Sequence, residues 1–272
     1  MEYEIRPASS FKLGFKEIWE YRELFYFFTW RDIKVRYKQT VLGIAWAVLQ
    51  PVIMTVVFTL FFDRALKISS GSLPYPLFVF AGMLVWGLFS SGLTNSGNSM
   101  ITASNIIKKI YFPRLIIPVS SILAAIVDFL ISLVILLVMM VYFGYSHQIL
   151  ATILVLPLVL LFTLLPLTGA GCFLSALNVK YRDFRYIIPF LIQVLFFLTP
   201  IIYPVHFFQN ELIQQVYQFH PIATAIEMLR DALAGSFPPA NMLLASLISS
   251  LIIFFIGIYY FRKTEYYFAD LA

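Results

Sequence analysis

The chain has 272 residues, of which 61% are hydrophobic and 12% charged. Soluble domains carry about 25% charged residues, so a soluble globular protein is excluded and a membrane protein is indicated. A single cysteine, Cys172, rules out an intrachain disulfide and a cysteine-based zinc site, and the net charge of +5 matters chiefly through where its positive residues lie.

Residues 1–40 precede the first apolar run. At about 100° per residue, Phe11, Phe15, Ile18, Trp19, Phe25 and Tyr26 fall in one arc. Lys12, Lys16, Glu20 and Glu23 lie beside or opposite it, Arg22 falls within it, and Ser9 or Ser10 suits an N-cap. This pattern predicts a helix in the cytoplasmic interface whose mixed charge suits a partner as well as lipid. Further on, Arg31, Lys34 and Lys38 share one helical face while Trp30, Ile33 and Tyr37 share another. Interface anchoring with lipid-phosphate contact accounts for such residues at a span entrance as well as a functional role does. No cleavable signal pattern precedes Val41–Phe62, which is expected to insert and stay.

Six spans are predicted, at about 41–62, 76–95, 115–143, 149–177, 187–203 and 241–261. The third and fourth exceed the ~20 residues of a straight crossing, so they tilt, kink or protrude. Pro157 and Pro166 favour kinks in the fourth. Sixteen of the 19 Lys and Arg residues fall at the termini and the even-numbered loops. Only Arg64, Lys67 and Arg230 fall on the other face, which predicts cytoplasmic termini.

The second loop, Ser104-Asn-Ile-Ile-Lys-Lys-Ile-Tyr-Phe-Pro-Arg114, is more than a turn. Ile106, Ile107, Ile110 and Tyr111 form one arc, and Lys108 and Lys109 the other. Ser104 or Asn105 is the expected cap, and Pro113 the stop. A two-turn helix is too short to stand alone, so the bundle, lipid or another protein must hold its apolar face. Arg114-Leu-Ile-Ile-Pro118 is echoed by Arg185-Tyr-Ile-Ile-Pro189, each expected to open a span with proline in its first turn.

Asp128 lies inside the third span, where ionisable residues are rare. With no intramembrane His, Lys or Arg evident beside it, a structural hydrogen-bonding role is favoured over a proton or ion site. In the long outer loop, about 204–240, Asn210–Phe219 and His220–Gly235 read as two short helices. Ile222, Ile226, Leu229 and Leu233 make a stripe on the second, and Glu227 can pair with Arg230. A re-entrant hairpin packed against protein and an external cap both fit.

Three functional classes compete. An enzyme lacks support: HExxH, GxSxG and Cys/His clusters are absent from the sequence. His147, His206 and His220 all fall on the outer side, and nothing in the spacing of Glu211, Glu227 and Asp231 demands catalysis. An ion-coupled lipid or sugar transporter would favour several intramembrane charges and inverted repeats. The third class is a translocation subunit driven by another polypeptide, since the chain has no GxxxxGK[ST] of its own.

Four stretches decide among them: Trp30-Arg-Asp-Ile-Lys-Val-Arg-Tyr-Lys-Gln-Thr-Val-Leu-Gly43, Tyr111-Phe-Pro-Arg-Leu-Ile-Ile-Pro118, Ser175-Ala-Leu-Asn-Val-Lys-Tyr-Arg-Asp183 and Thr199-Pro-Ile-Ile-Tyr-Pro204. Together they resemble the membrane (permease) subunits of ATP-binding-cassette polysaccharide exporters. The resemblance runs in order through nearly the whole chain and is strongest to O-antigen (lipopolysaccharide) export permeases, with teichoic-acid and capsule exporters as relatives. His220-Pro221 departs from it, Asn being the expected residue before the proline, and either residue can cap.

The resemblance implies an all-α integral membrane fold with six transmembrane helices per subunit (41–261). To these it adds an N-terminal cytoplasmic interface helix (1–40), a short coupling helix (about 104–112), an outer re-entrant pair (about 205–240) and a cytoplasmic tail (262–272). It implies a bacterial inner-membrane homodimer with two copies of a separate ATPase, which would bind the ATP and Mg, and no cofactor or nucleic acid on this chain. The substrate would be a glycan on a polyprenyl-diphosphate lipid. Ser104, Asn105, Ile106, Ile107, Lys108, Lys109, Ile110 and Tyr111 become the ATPase-docking element. Arg31, Lys34 and Lys38 are the candidates for the lipid diphosphate. A glycan conduit should mix aromatic platforms with short polar groups, and the chain holds 28 Phe, 16 Tyr and 4 Trp. Trp46, Trp86, Phe89, Ser90, Thr94, Phe197 and Tyr203 are its candidates, each singly also accounted for by lipid or helix packing.

Overall fold

The computed structural model describes residues 19–38, 43–65, 71–110, 112–181, 183–207 and 210–268. The predicted apolar residues Phe11, Phe15 and Ile18, the caps Ser9 and Ser10, and Tyr111, Arg182 and Lys67 lie outside them. The described residues form helices, without strands, in the order α1 (Arg22–Lys38), α2 (Gly43–Phe58, continued by a π-helical stretch Thr59–Ala65), α3 (Tyr75–Thr102), α4 (Ser104–Ile107) and α5 (Ile116–Tyr142). Then come α6 (Ile149–Lys180), α7 (Phe184–Leu198), α8 (Glu211–Gln218), α9 (Pro221–Ala234) and α10 (Ala240–Thr264).

Among the described residues, five segments are long and apolar enough to cross a membrane: Ala45–Asp63, Tyr75–Thr102, Ile116–Tyr142, Ser146–Lys180 and Ala240–Thr264. The fifth predicted span, about 187–203, differs. Its helix α7 has 15 residues and so reaches about 22 Å, against about 30 Å of hydrocarbon. It stops at Leu198 because Pro200 biases Thr199 out of the helical region, and Thr199 is extended (φ −90°, ψ 137°). Pro189 is the sixth residue of α7, beyond the first turn where its echo Pro118 sits in α5. The two Arg–Pro motifs are therefore not equivalent. Pro157 and Pro166 are both accommodated within one 32-residue helix, α6.

The most buried of the membrane-length helices is α3, which packs on α2, α5, α6, α7 and α9. Small and polar residues knit it to α6. Asn178 Nδ2 donates to the Gly97 carbonyl (2.9 Å) and to Asn98 Oδ1 (3.1 Å), and Gly171 lies against Ser96. Without a hydrophobic drive inside lipid, close backbone approach and such bonds hold helices together.

The two short helices expected between about 204 and 240 are present. Asn210 caps α8 through Leu212 N–H (2.9 Å). His220 caps α9 by accepting Ala223 N–H at Nδ1 (3.2 Å), a role that needs the neutral imidazole, and burial lowers its pKa in that direction. Gly235 closes α9 with a left-handed φ of 78°. Helix α9 is buried around most of its circumference against α6 and α3, beyond the narrow stripe expected of it.

Helix α1 does not simply lie flat beneath the bundle. Phe28 meets Phe112 (5.6 Å between ring centroids), Asp32 accepts from Ser121 (3.0 Å), and Arg36 pairs with Asp128. These contacts advance along both helices together, so α1 runs lengthwise beside the first half of α5. Of the expected apolar arc, Phe25 is half-buried while Trp19 and Tyr26 are exposed. Phe28 is the buried anchor instead.

Candidate functional site

Two features stand out. The first is a groove of about 720 Å³ bounded by α2, α3, α5 and α7. A stripe on α3 supplies its polar wall: Ser90, Ser91, Thr94 and Asn95 recur at helical spacing on one face. Gln50, Asp128, Ser132 and Gln193 add polar groups from the other three helices. Aromatic rings form the opposite character. Phe196 stacks on Phe58 (5.9 Å) and meets Trp86 edge-on (5.7 Å), and Phe197 completes the apolar rim.

Of the predicted conduit residues, Trp86, Ser90, Thr94 and Phe197 line this groove and Trp46, Phe89 and Tyr203 do not. Trp46 is exposed on α2. Phe89 is buried behind Trp86 (5.5 Å). The Tyr203 hydroxyl donates to the Phe197 carbonyl (2.6 Å) and lies 3.2 Å from the Tyr217 hydroxyl, so it braces the segment after α7. Sequence reasoning missed Gln50, Ser91, Asn95, Ser132 and Gln193. The signal was available for Ser91 and Asn95, since Ser91, Thr94, Asn95, Asn98 and Ser99 stand at i, i+3, i+4, i+7 and i+8 in an apolar span.

The second feature is the basic turn between α3 and α5. Its helix, α4, is one turn of four residues rather than two, and neither Ser104 nor Asn105 caps it; Ala103 holds the N-cap position without a side-chain bond. Ile107 is buried (6% exposed), Ser104 and Ile106 are half-buried, and Asn105, Lys108, Lys109 and Ile110 (62%) face outward. What holds so short a helix is a second hydrophobic cluster, in which Ile107 joins Phe28 of α1, Phe112, and Phe261 and Phe268 of the chain's end. Glu265 fastens the same place. Its Oε1 accepts the Arg114 backbone N–H (3.2 Å), its Oε2 accepts from Arg262 (2.9 Å), and its carbonyl accepts from the Arg114 guanidinium. Within the segment expected to form the tail, 262–272, Glu265 and Phe268 are held against the basic turn.

Glu265→Ala removes the acceptor for the Arg114 backbone N–H and for Arg262. With about 1–2 kcal/mol of local stability lost, trypsin should cut after Lys108 and Lys109 about five- to thirtyfold faster in the folded protein. Glu265→Gln, which keeps an oxygen acceptor, should fall between.

The cationic candidates separate. Arg31 directs Nε and Nη2 onto Asp32 (3.0 and 2.8 Å) and lies over the Phe28 ring (4.8 Å). Lys34 and Lys38 are exposed. Arg36, which was not singled out, contacts the groove wall. It pairs with Asp128, to which the Tyr37 hydroxyl also donates, and its Nη2 lies 3.4 Å from Ser91 Oγ. Asp128 therefore has an arginine partner after all. The sequence reading had placed that arginine ahead of the first span.

Glu227 and Arg230 pair as predicted (2.9 Å), but Arg230 is no surface charge. It is 3% exposed and donates to the carbonyls of Phe78 (3.2 Å), Pro200 (2.8 Å) and Ile201 (2.6 Å). One guanidinium thereby ties α3, the segment after α7 and α9 together.

Apolar helices around a polar groove, with a basic turn at one end, define a multi-pass membrane protein of the transport type. Residues 23–234 match the family model described as ABC-2 type transporter, and the chain belongs to that family, whose members are permeases rather than catalytic enzymes and work with a separate ATP-binding subunit. Among its relatives are an O-antigen export system permease protein RfbA of Klebsiella pneumoniae, 27% identical over 89% of this chain and 92% of the relative, and one of Myxococcus xanthus, 28% identical over 72% and 74%. A polysialic acid transport protein KpsM of Escherichia coli is 23% identical over 86% and 91%.

Proposed function

We propose that this chain is the membrane subunit of an ATP-driven exporter that carries a polyprenyl-diphosphate-linked polysaccharide of O-antigen type from the cytoplasm across the bacterial inner membrane. It acts as a homodimer of six-crossing protomers with both termini cytoplasmic. Helix α7 and the Thr199–Pro204 segment make the fifth crossing, and α8 and α9 re-enter from outside. Two copies of a separate ATPase, which hold ATP and Mg, seat against Lys108, Lys109 and Ile110. Their closure pushes on the α4 turn, and the cluster around Ile107 passes that push to α1, α5 and α10.

The observation that carries this reading is the groove. Its hydroxyl and amide stripe, lined in the same groove with aromatic rings, suits a sugar chain, which offers hydroxyls and weakly apolar ring faces and slides over many weak sites. Export of capsular polysaccharide or teichoic acid is the second reading, and the polysialic acid relative supports the former. Its lower identity (23% against 27%) puts O-antigen first.

The test is made in the native cell. Removing this chain should strand lipid-linked glycan on the cytoplasmic face, and restoring it together with its ATPase should return glycan to the surface. An ATPase variant that binds but does not hydrolyse ATP should not restore it. Sugar analysis of the stranded lipid separates the two readings, and surface glycan that persists without this chain rejects both.

A further inference from the structure

Asp128 is the thirteenth residue of α5, about 18 Å along the helix axis from its first residue. A guanidinium at that depth is costly and needs a partner. Arg36 supplies its charge there from α1, and both residues that its Nη atoms address, Asp128 and Ser91, line the groove. The pair is not sealed off: the two side chains are 29% and 23% exposed. Asp128 is also bound on its other oxygen by the Tyr37 hydroxyl, so it keeps a donor if Arg36 leaves it.

We infer that Arg36 is a masked anion-binding site beside the groove, behind Asp128 and Ser91 of its wall, held by Asp128 against singly charged phospholipid head groups and released to a diphosphate-bearing lipid. The inference rests on the proposed substrate class and adds the residue that reads it. An unmasked arginine facing a lipid-accessible groove in an anionic membrane would be occupied by any phosphodiester. A carboxylate already in place sets a threshold, because the incoming anion must outbid it. A phosphodiester carries one charge and offers no surplus over Asp128. A diphosphate carries more charge and more acceptor oxygens, arranged to take the planar fork of arginine bidentately. Selectivity here comes from the competing acceptor as much as from the attractive contact. Arg31 is already engaged by Asp32 and Phe28, and the exposed Lys34 and Lys38 can gather anionic lipid but cannot discriminate in this way.

The test uses the permease with its ATPase in nanodiscs of phosphatidylcholine, with and without phosphatidylglycerol, titrated with a polyprenyl diphosphate that bears no sugar. Wild type should bind it with little competition from phosphatidylglycerol. Arg36→Gln should weaken binding about tenfold. Arg36→Lys, which keeps the ion pair and guards against misfolding, should weaken it as well, because a point charge loses the bidentate fork. Asp128→Asn should bind the diphosphate more tightly in phosphatidylcholine and lose that advantage when phosphatidylglycerol is present. Unchanged affinity in both Arg36 variants, or an Asp128→Asn protein weakened as Arg36→Gln is, overturns the masked site while leaving the proposed substrate standing. Absence of binding in wild type and every variant overturns the diphosphate substrate itself, and the site with it.

Discussion

Replacing Arg230 with Met should be the most damaging single change to the end of the bundle that holds α9. The substitution keeps much of the aliphatic volume but strands the carbonyls of Pro200 and Ile201 and the Glu227 carboxylate, and removes a second donor from the helical Phe78 carbonyl. Unpaired buried acceptors and the loss of an ion pair whose carboxylate is partly exposed together cost about 2–4 kcal/mol. The apparent unfolding midpoint of the detergent-purified protein should drop sharply, with loss of monodisperse material. Arg230→Lys should recover only part, since one ammonium cannot reach acceptors spread over three segments. Gly82→Ala should mimic a weaker form of the defect: an added Cβ would lie 2.9 Å from Arg230 Nη2 and 3.0 Å from the Ile201 carbonyl oxygen. A wild-type midpoint in Arg230→Met would mean the guanidinium bridge is dispensable.

Gly257→Ala is the second large effect expected, at the crossing of α6 and α10. Helices α6 and α10 cross at Gly169 and Gly257, where an added Cβ on Gly257 would lie 1.9 Å from the Gly169 carbonyl oxygen. Gly169→Ala meets the same obstacle, 2.4 Å from the Ile253 carbonyl oxygen. Both obstructing atoms are backbone, so no rotamer change relieves the clash and the helices must part. Overpacking of this kind costs about 1–3 kcal/mol and at times more, and it would also disturb Ser246 and Ser250, buried along the same helix. Gly87→Ala is the matched control for stability, because nothing lies within 4 Å of its added Cβ and alanine is the better helix former. Thermal melting of the three variants side by side checks the point, and equal midpoints would show that the crossing tolerates a methyl group.

Both effects act on how helices meet, which is where reading the sequence stops. Apolar runs bounded by charge and by Pro or Gly marked most of the helices, because a helix in lipid must satisfy its own backbone bonds and does so locally. The His220 cap, the Gly235 stop and the Glu227–Arg230 pair were legible for the same reason: each depends on residues within a turn or two. The basic turn at 104–110 was legible as an outward-facing element, since its lysines stand between two spans.

The destinations of the long charged side chains were not legible. Arg36 and Asp128 are 92 positions apart, and no local pattern says that α1 runs beside α5 deeply enough for them to meet. Arg230 looked like a loop charge until three carbonyls, brought together by α3, α9 and the end of α7, were seen to surround it. The groove divided the aromatic candidates in the same way, keeping Trp86 and Phe197 and excluding Trp46 and Phe89, because composition names residue types and only packing decides which face of a helix meets another. The sequence by itself determined a helical membrane protein, its apolar segments, its local caps and a family resemblance carried by short motifs. The tertiary structure alone decided the polar groove, the clip that Glu265 makes on the basic turn, and the partners of Asp128 and Arg230. Each of these depends on contacts between segments far apart in the chain, whose relative placement is fixed by side-chain and backbone fit across helix surfaces rather than by any property of one segment.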